Sequence, residues 1–213
     1  MKFIEFVCSG NHGRSVIAEA LADIELARQG NRYYKARSSG TIVNELNFCR
    51  KRKNGFDENF ARKLVTIGLE RGMYDGAAKE IIGLNKLSKE QKKLIQQYAS
   101  QALTLFEEEE AVYRIEALKI SGIDVELKQF SEQTIVRPDS ALILGMGQEH
   151  FDSVVKIYNA KEMSPRVDTL ERYAGYEQTG FKGAFGRGLD NYIKMVRRMN
   201  FCVASAINRF LEE

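Results

Sequence analysis

The stretch FIEFVCSGNHGRSVIAEA, Phe3 to Ala20, sets Cys8 and Arg14 apart by five residues and places Ser15 directly after the arginine. An apolar run ends at Cys8 and a helix-period pattern begins at Ser15, so one strand-to-helix turn holds a sulfur, a guanidinium and a row of backbone N–H groups. A loop that opens a helix aims unsatisfied N–H groups and the positive end of the helix dipole into its bowl. Both favour the thiolate of a cysteine held there, which is the form that attacks. The bowl is formed by Ser9, Gly10, Asn11, His12 and Gly13, and the two glycines keep Cβ atoms out of a tight turn. Arg14 supplies a planar fork that grips two oxygens of a phosphoryl group. Ser15 offers a hydrogen bond to the sulfur as it departs, and His12 on the rim is placed to touch substrate.

The rest of the chain reads as alternating strand and helix. Lys2 to Val7 is a short apolar strand, and residues 16 to 29 place Ile17, Ala20, Leu21, Ile24 and Ala27 on one helical face with Gly30 as the stop. Residues 33 to 38 form a second strand, and Ala141 to Met146 is a continuous apolar run suited to a buried parallel strand. From Asp190, read as an N-cap, the positions Ile193, Val196, Met199, Val203, Ile207 and Phe210 draw a stripe to the C-terminus. This order predicts an α/β fold in three layers: a small parallel sheet of about four strands with helices on both faces. The active loop then lies at the carboxyl end of the first strand, where open α/β sheets place ligands.

Composition sets the frame for these motifs. A chain of 213 residues, 44% hydrophobic and 29% charged, can bury one core with an elaboration. The formal charge of +3 gives little reason to expect nucleic acid. Cysteines 8, 49 and 202 are odd in number and widely spread, so no disulfide framework is expected. A working thiolate requires a reducing compartment, no apolar segment suits a signal or a membrane span, and cytoplasm is the default location. The two histidines, His12 and His150, are far apart, and no Cys/His cluster has metal-ligand spacing. No metal and no cofactor are expected, no membrane partner, and a monomer or weak homo-oligomer.

CSGNHGRS resembles the signature loop of the low-molecular-weight protein-tyrosine phosphatases. The resemblance implies that Cys8 is the nucleophile, Asn11 the brace of the bowl, Arg14 the phosphate-binding arginine and Ser15 the serine that follows it. Ala36 to Thr41, ARSSGT, resembles the family's second strand and its S-A-G-T end, with Ser38 matching a serine that supports the loop. Ser121-Gly122-Ile123-Asp124 resembles the H-G-I-D turn, Asp139 to Met146 the third strand, and Leu170-Glu171-Arg172-Tyr173 and the last helix continue the order. The likeness covers about residues 1 to 46 and 108 to 213 of a single domain, 1 to 213, interrupted by an insertion at about 47 to 107.

Three departures qualify what the resemblance implies. The family's general acid is an aspartate ahead of the last helix, and the matching stretch is Lys182-Gly183-Ala184-Phe185-Gly186, with Lys182 at the acid's position. Loss of such an acid slows the reaction by about 100- to 10,000-fold; Asp190 and, more weakly, Glu177 are the substitutes within reach in sequence. The aromatic pocket wall after S-A-G-T is missing, because Thr41 is followed by Ile42, Val43, Asn44 and Glu45. The second loop cysteine found in many members is replaced by Gly13.

The insertion reads as two or three helices: Phe60, Leu64 and Ile67 follow Asp57 as a cap with Gly72 as the stop, and Ser88 to Gln91 is a capping box ahead of Leu94, Tyr98, Ala102 and Leu105. It either caps the active site and replaces the missing wall or is a peripheral decoration. The run Arg50 to Lys53 reads as a solvated loop, Glu107 to Glu110 as an exposed helix face, and Cys202 as a core residue. Three functions follow. The first is a cysteine-dependent phosphatase acting on protein phosphotyrosine or a small phosphate ester through a phosphocysteine. The others are a non-catalytic phosphate-binding protein and a thiol-dependent arsenate reductase, the last disfavoured by the lack of a close cysteine pair.

Overall fold

The computed structural model describes residues 1–213 other than 53, 54, 129, 178–180, 182 and 183, and it leaves the side chains of 48–52 undescribed. Strand β1 (Lys2–Cys8) lies between β2 (Tyr34–Gly40) and β3 (Ser140–Gly145), and β4 (Val167–Thr169) completes the order β2-β1-β3-β4. All three pairings are parallel, as expected of strands joined through helices. Cys8 pairs with Gly40 and Val7 with Gly145, so three strands end together and their loops meet at one edge.

Side chains alternate across β1 to build two layers. Ile4, Phe6 and Cys8 belong to the main core with α1 (Arg14–Arg28) and the last helix, whereas Val7 packs with Ile143, Val154 and Tyr158 on the other face. The second face is closed by α6 (Gln148–Asn159), whose Val154 and Tyr158 are buried. A one-turn helix α7 (Leu170–Tyr173) follows β4, and α8 (Leu189–Glu212) returns over the first face. Three layers and a four-stranded parallel sheet are therefore present.

The α8 stripe is as expected, with Val196, Met199, Val203 and Ile207 buried and Ile193 and Phe210 packed at its border. Two local expectations need correction. On α1 the buried side is centred on Ala18, Ala22 and Leu26 as well as Ile17 and Leu21, while Ile24 and Ala27 face out. This helix is covered by the sheet on one flank and by α8 on the other, which widens its buried arc beyond a single stripe. The N-cap of α8 is Gly188, at φ 82°, and Asp190 sits exposed in the first turn, where its charge still suits the helix dipole.

The segment read in the sequence as an insertion is helical over most of its described residues. Helices α2 (Val43–Arg52), α3 (Glu58–Glu70), α4 (Gly76–Gly83) and α5 (Lys89–Ile120) follow β2. The Asp57 side chain accepts from the backbone N–H groups of Asn59 and Phe60, and the Ser88–Gln91 capping box is complete. Leu64, Val65, Ile81, Ile95, Ala99, Leu103 and Phe106 form a separate apolar core among α3, α4 and α5. No break falls near residue 107: α5 runs through it without interruption for 32 residues, up to the Ser121–Asp124 turn. No helix among the described residues is long and apolar enough to cross a membrane.

Candidate active site

The turn between β1 and α1 folds around Cys8. The sulfur lies 3.0 Å from Ser15 Oγ and accepts the Asn11 backbone N–H at 3.3 Å. Asn11 takes a φ of 54°, a left-handed conformation that asparagine tolerates better than most residues and that bends the loop back over the sulfur. Its amide Nδ2 donates to Ser15 Oγ at 3.0 Å and to Ser38 Oγ at 2.8 Å, while its Oδ1 accepts the Glu132 backbone N–H at 2.8 Å. Because Ser15 Oγ already accepts from Asn11, its own proton is free to point at the sulfur. Ser38 Oγ in turn donates to Glu19 Oε2 at 2.5 Å. Burial raises the Glu19 carboxyl above its ordinary value, against the pull of Ser38 and Lys128. Glu19, Ser38, Asn11, Ser15 and Cys8 thus form one chain of hydrogen bonds beneath the loop.

Strand β2 fixes the loop from below. Thr41 N–H donates to the Cys8 carbonyl at 2.9 Å and Ile42 N–H to the Ser9 carbonyl at 3.1 Å. A Cβ on Gly40 would stand 2.4 Å from the Ser9 carbonyl oxygen and 2.8 Å from Asn11 N, so this close approach requires glycine. From the other side Ser131 Oγ donates to the Asn11 carbonyl at 3.0 Å and lies 3.2 Å from His12 Nδ1, and Arg114 donates to the His12 carbonyl at 2.6 Å. Arg14, at the start of α1, donates to the Phe181 carbonyl at 3.2 Å.

Cys8, Ser9, Gly10, His12, Gly13 and Arg14 together floor a cavity of about 440 Å³. Its walls are Ile42 and Leu46 on the first side, Phe60, Leu64 and Ile67 of α3, Leu103 of α5, and Phe181 and Phe185 ahead of α8. The segment read as an insertion therefore lines the cavity through α3 and α5. Lys63 and Arg187 add positive charge to the lining, and Glu107, Glu110 and Glu149 are its carboxylates.

Several residues near the loop lack any motif that marks them. His150 Nε2 lies 2.9 Å from Ser9 Oγ, joining α6 to the loop across 141 positions of sequence. Burial, with the Arg14 charge adding to it, lowers His150 to about 4, so the ring is neutral at physiological pH. Glu110 departs from the expected exposed face: it is buried, and the Tyr192 hydroxyl donates to its Oε1 at 2.5 Å. Burial raises its carboxyl, and it raises the Tyr192 hydroxyl as well. Along the same run Glu108 is exposed and Glu109 pairs with Arg71 at 2.6 Å.

The acids sought in sequence do not reach the cavity. Asp190 is exposed on the first turn of α8, and Glu177 lines a separate cavity with Tyr176, Arg198, Phe201 and Cys202. Lys182 and Gly183 lie outside the described residues, as do the side chains of Cys49 and of the basic run from Arg50; the backbone of that run up to Arg52 is the end of helix α2, not the loop expected from its charge. Cys202 is buried as expected, and burial pushes its thiol up to about 11, away from any relay role. Among the described residues no cluster of His, Cys, Asp and Glu is arranged to hold a metal ion.

No family model matches the sequence. No curated protein matches it either. Solved structures do share its fold. A YwlE variant from Bacillus subtilis superimposes with a TM-score of 0.57 at 17% identity, covering 100% of both chains. A low-molecular-weight protein tyrosine phosphatase from Bacillus subtilis gives 0.58 at 18% identity over 99% of this chain and 98% of its own. The YwlE arginine phosphatase from Geobacillus stearothermophilus gives 0.56 at 15% identity over 100% and 94%. The chain therefore has the fold of the low-molecular-weight protein tyrosine phosphatases.

Proposed function

We propose that this protein is a cysteine-dependent phosphatase that hydrolyses phosphate monoesters through a phosphocysteine. Cys8 attacks phosphorus, while Arg14 and the loop N–H groups other than that of Asn11, which serves the sulfur, hold the three phosphoryl oxygens as charge develops on them. Ser15 donates to the sulfur when water displaces it. The observation that carries this reading is the hydrogen-bond chain from Glu19 to Cys8, in which every polar group of Asn11 is engaged to hold the bowl open over one sulfur. A turn that only linked a strand to a helix needs no such support.

The walls of the cavity support an aryl ester as substrate, with protein phosphotyrosine the corresponding side chain. Phe60, Leu64, Ile67 and Phe185 offer an apolar surface where the resemblance lacked an aromatic wall. Solved neighbours act on different groups: one is named a tyrosine phosphatase and another an arginine phosphatase, and Wzb from Vibrio vulnificus is solved with benzylphosphonate. A YwlE arginine phosphatase variant with serine in place of cysteine is solved with that serine phosphorylated. Hydrolysis of p-nitrophenyl phosphate that is inhibited by vanadate and abolished in Cys8→Ser is the expected result. Tight vanadate or phosphopeptide binding with no turnover would select instead the non-catalytic reading, which the displacement of Asp190 and Glu177 from the cavity favours.

A further inference from the structure

The reaction just proposed needs a proton for the departing oxygen, and the cavity holds a carboxyl that the reading of the loop does not use. Among the described residues three carboxylates line it. Glu149 is mostly exposed at 67% of its side chain and faces His150 Nδ1 at 3.4 Å. Glu107 is half-buried, one turn before Glu110 on α5. Glu110 is 8% exposed and packs directly against the loop: a Cβ on Gly13 would stand 2.2 Å from its Oε1. Gly13 is therefore the neighbour that makes room for this side chain, immediately before the phosphate-gripping Arg14. The Tyr192 hydroxyl from α8 donates to Oε1, and among the described residues no hydrogen bond engages Oε2.

Resting on the phosphatase reading above, we infer that Glu110 is the proton donor to the leaving group, supplied by α5 in place of the acid missing ahead of α8. The carboxyl carries its proton on Oε2. As the Cys8 thiolate forms the S–P bond and the P–O bond to the leaving group breaks, Glu110 passes that proton to the departing oxygen, giving an alcohol or phenol and a carboxylate. In the second half, water loses a proton to the carboxylate as its oxygen attacks phosphorus, the S–P bond breaks, and inorganic phosphate leaves with Glu110 reprotonated.

The charged and titratable groups around Glu110 fit this cycle. Burial raises the carboxyl above its ordinary value against the pull of Tyr192 on α8, Arg114 on α5 and Arg14 on α1, Glu107 works in the same direction as burial, and the Tyr192 hydroxyl stabilises the carboxylate once it forms. A phosphate dianion bound at Arg14 offsets that guanidinium's charge and strengthens the proton's hold before reaction. The acid is thus loaded when substrate binds.

The test is a series of aryl and alkyl phosphates of graded leaving-group pKa with the full chain. Wild type is expected to show a shallow dependence and an alkaline limb in kcat. Glu110→Gln should lose about 100- to 10,000-fold on alkyl phosphates and only a few-fold on dinitrophenyl phosphate, with a steep dependence and no alkaline limb. Tyr192→Phe removes the hydroxyl that stabilises the carboxylate, so its alkaline limb should move to higher pH; this variant decides the matter if Glu110→Gln does not fold. An alkyl phosphate rate and a leaving-group slope in Glu110→Gln equal to wild type, or an unmoved limb in Tyr192→Phe, would overturn the assignment. Activity that survives in Cys8→Ser would instead sink the phosphatase reading itself, which keeps the two failures apart.

Discussion

Asn11 concentrates more of the site's order than any other side chain of the loop. Its left-handed backbone, its two amide donors and its one acceptor are all engaged. Asn11→Ala removes three hydrogen bonds and leaves a residue that tolerates the φ less well, so a loss of about 1–3 kcal/mol is expected in urea unfolding, with a fall in kcat on the same substrate. His150 offers a test by pH. Burial keeps its ring neutral down to about 4, whereas the unfolded chain takes up a proton below about 6.5. The stability it contributes is whole above that upper value and is lost as pH falls towards the lower one. Wild type should therefore lose stability more steeply over that window than His150→Asn, read from urea midpoints at matched pH. At this scale the loop residues and Ser38 were legible because they sit in one contiguous motif and one strand end. His150 and Glu110 were not, because nothing in a lone histidine or in a run of four glutamates tells which residue the fold will bury against Ser9 or Gly13.

The elements are held by a buried ion cluster as well as by apolar packing. Glu5 lies in the middle of β1, fully buried, with Arg37 Nε and Arg137 Nη1 each at 3.1 Å and the Ser39 and Ser140 hydroxyls donating to it at 2.7 and 2.9 Å. Glu5 thus ties β1 to β2 and β3 through side chains as well as through their backbone ladders. Removing one member of a buried pair leaves the partners uncompensated, so Glu5→Ala should destabilise the protein by about 3–5 kcal/mol in chemical denaturation. The parallel strands were readable from apolar runs, and α3, α5 and α8 from their caps or stripes. The arc of α1 and the continuity of α5 were not. A stripe shows that a helix is amphipathic but not how many neighbours will cover it, and the boundary set by resemblance at residue 107 carries no physical stop signal.

Across the whole molecule, two apolar cores meet at one cavity. The sheet core supplies the loop, and the insertion core supplies the opposite wall, with Phe106 of α5 set edge-on to Phe185 at 5.5 Å between ring centres. Helices α3 and α5 line the cavity, because α5 passes from one core into the other as one continuous helix. Phe106→Ala should cost about 3–5 kcal/mol by leaving a void in the insertion core. Its kinetic effect should fall mainly on KM for aryl phosphates, since the wall moves while the loop's own hydrogen bonds persist. The central claim concerns one sulfur at the floor of that cavity, and acid quenching within a single turnover followed by mass spectrometry tests it most directly. The account predicts a phosphoryl group on the peptide that carries Cys8, appearing and decaying at the rate of turnover; product formed with that peptide unmodified at every time point would contradict it.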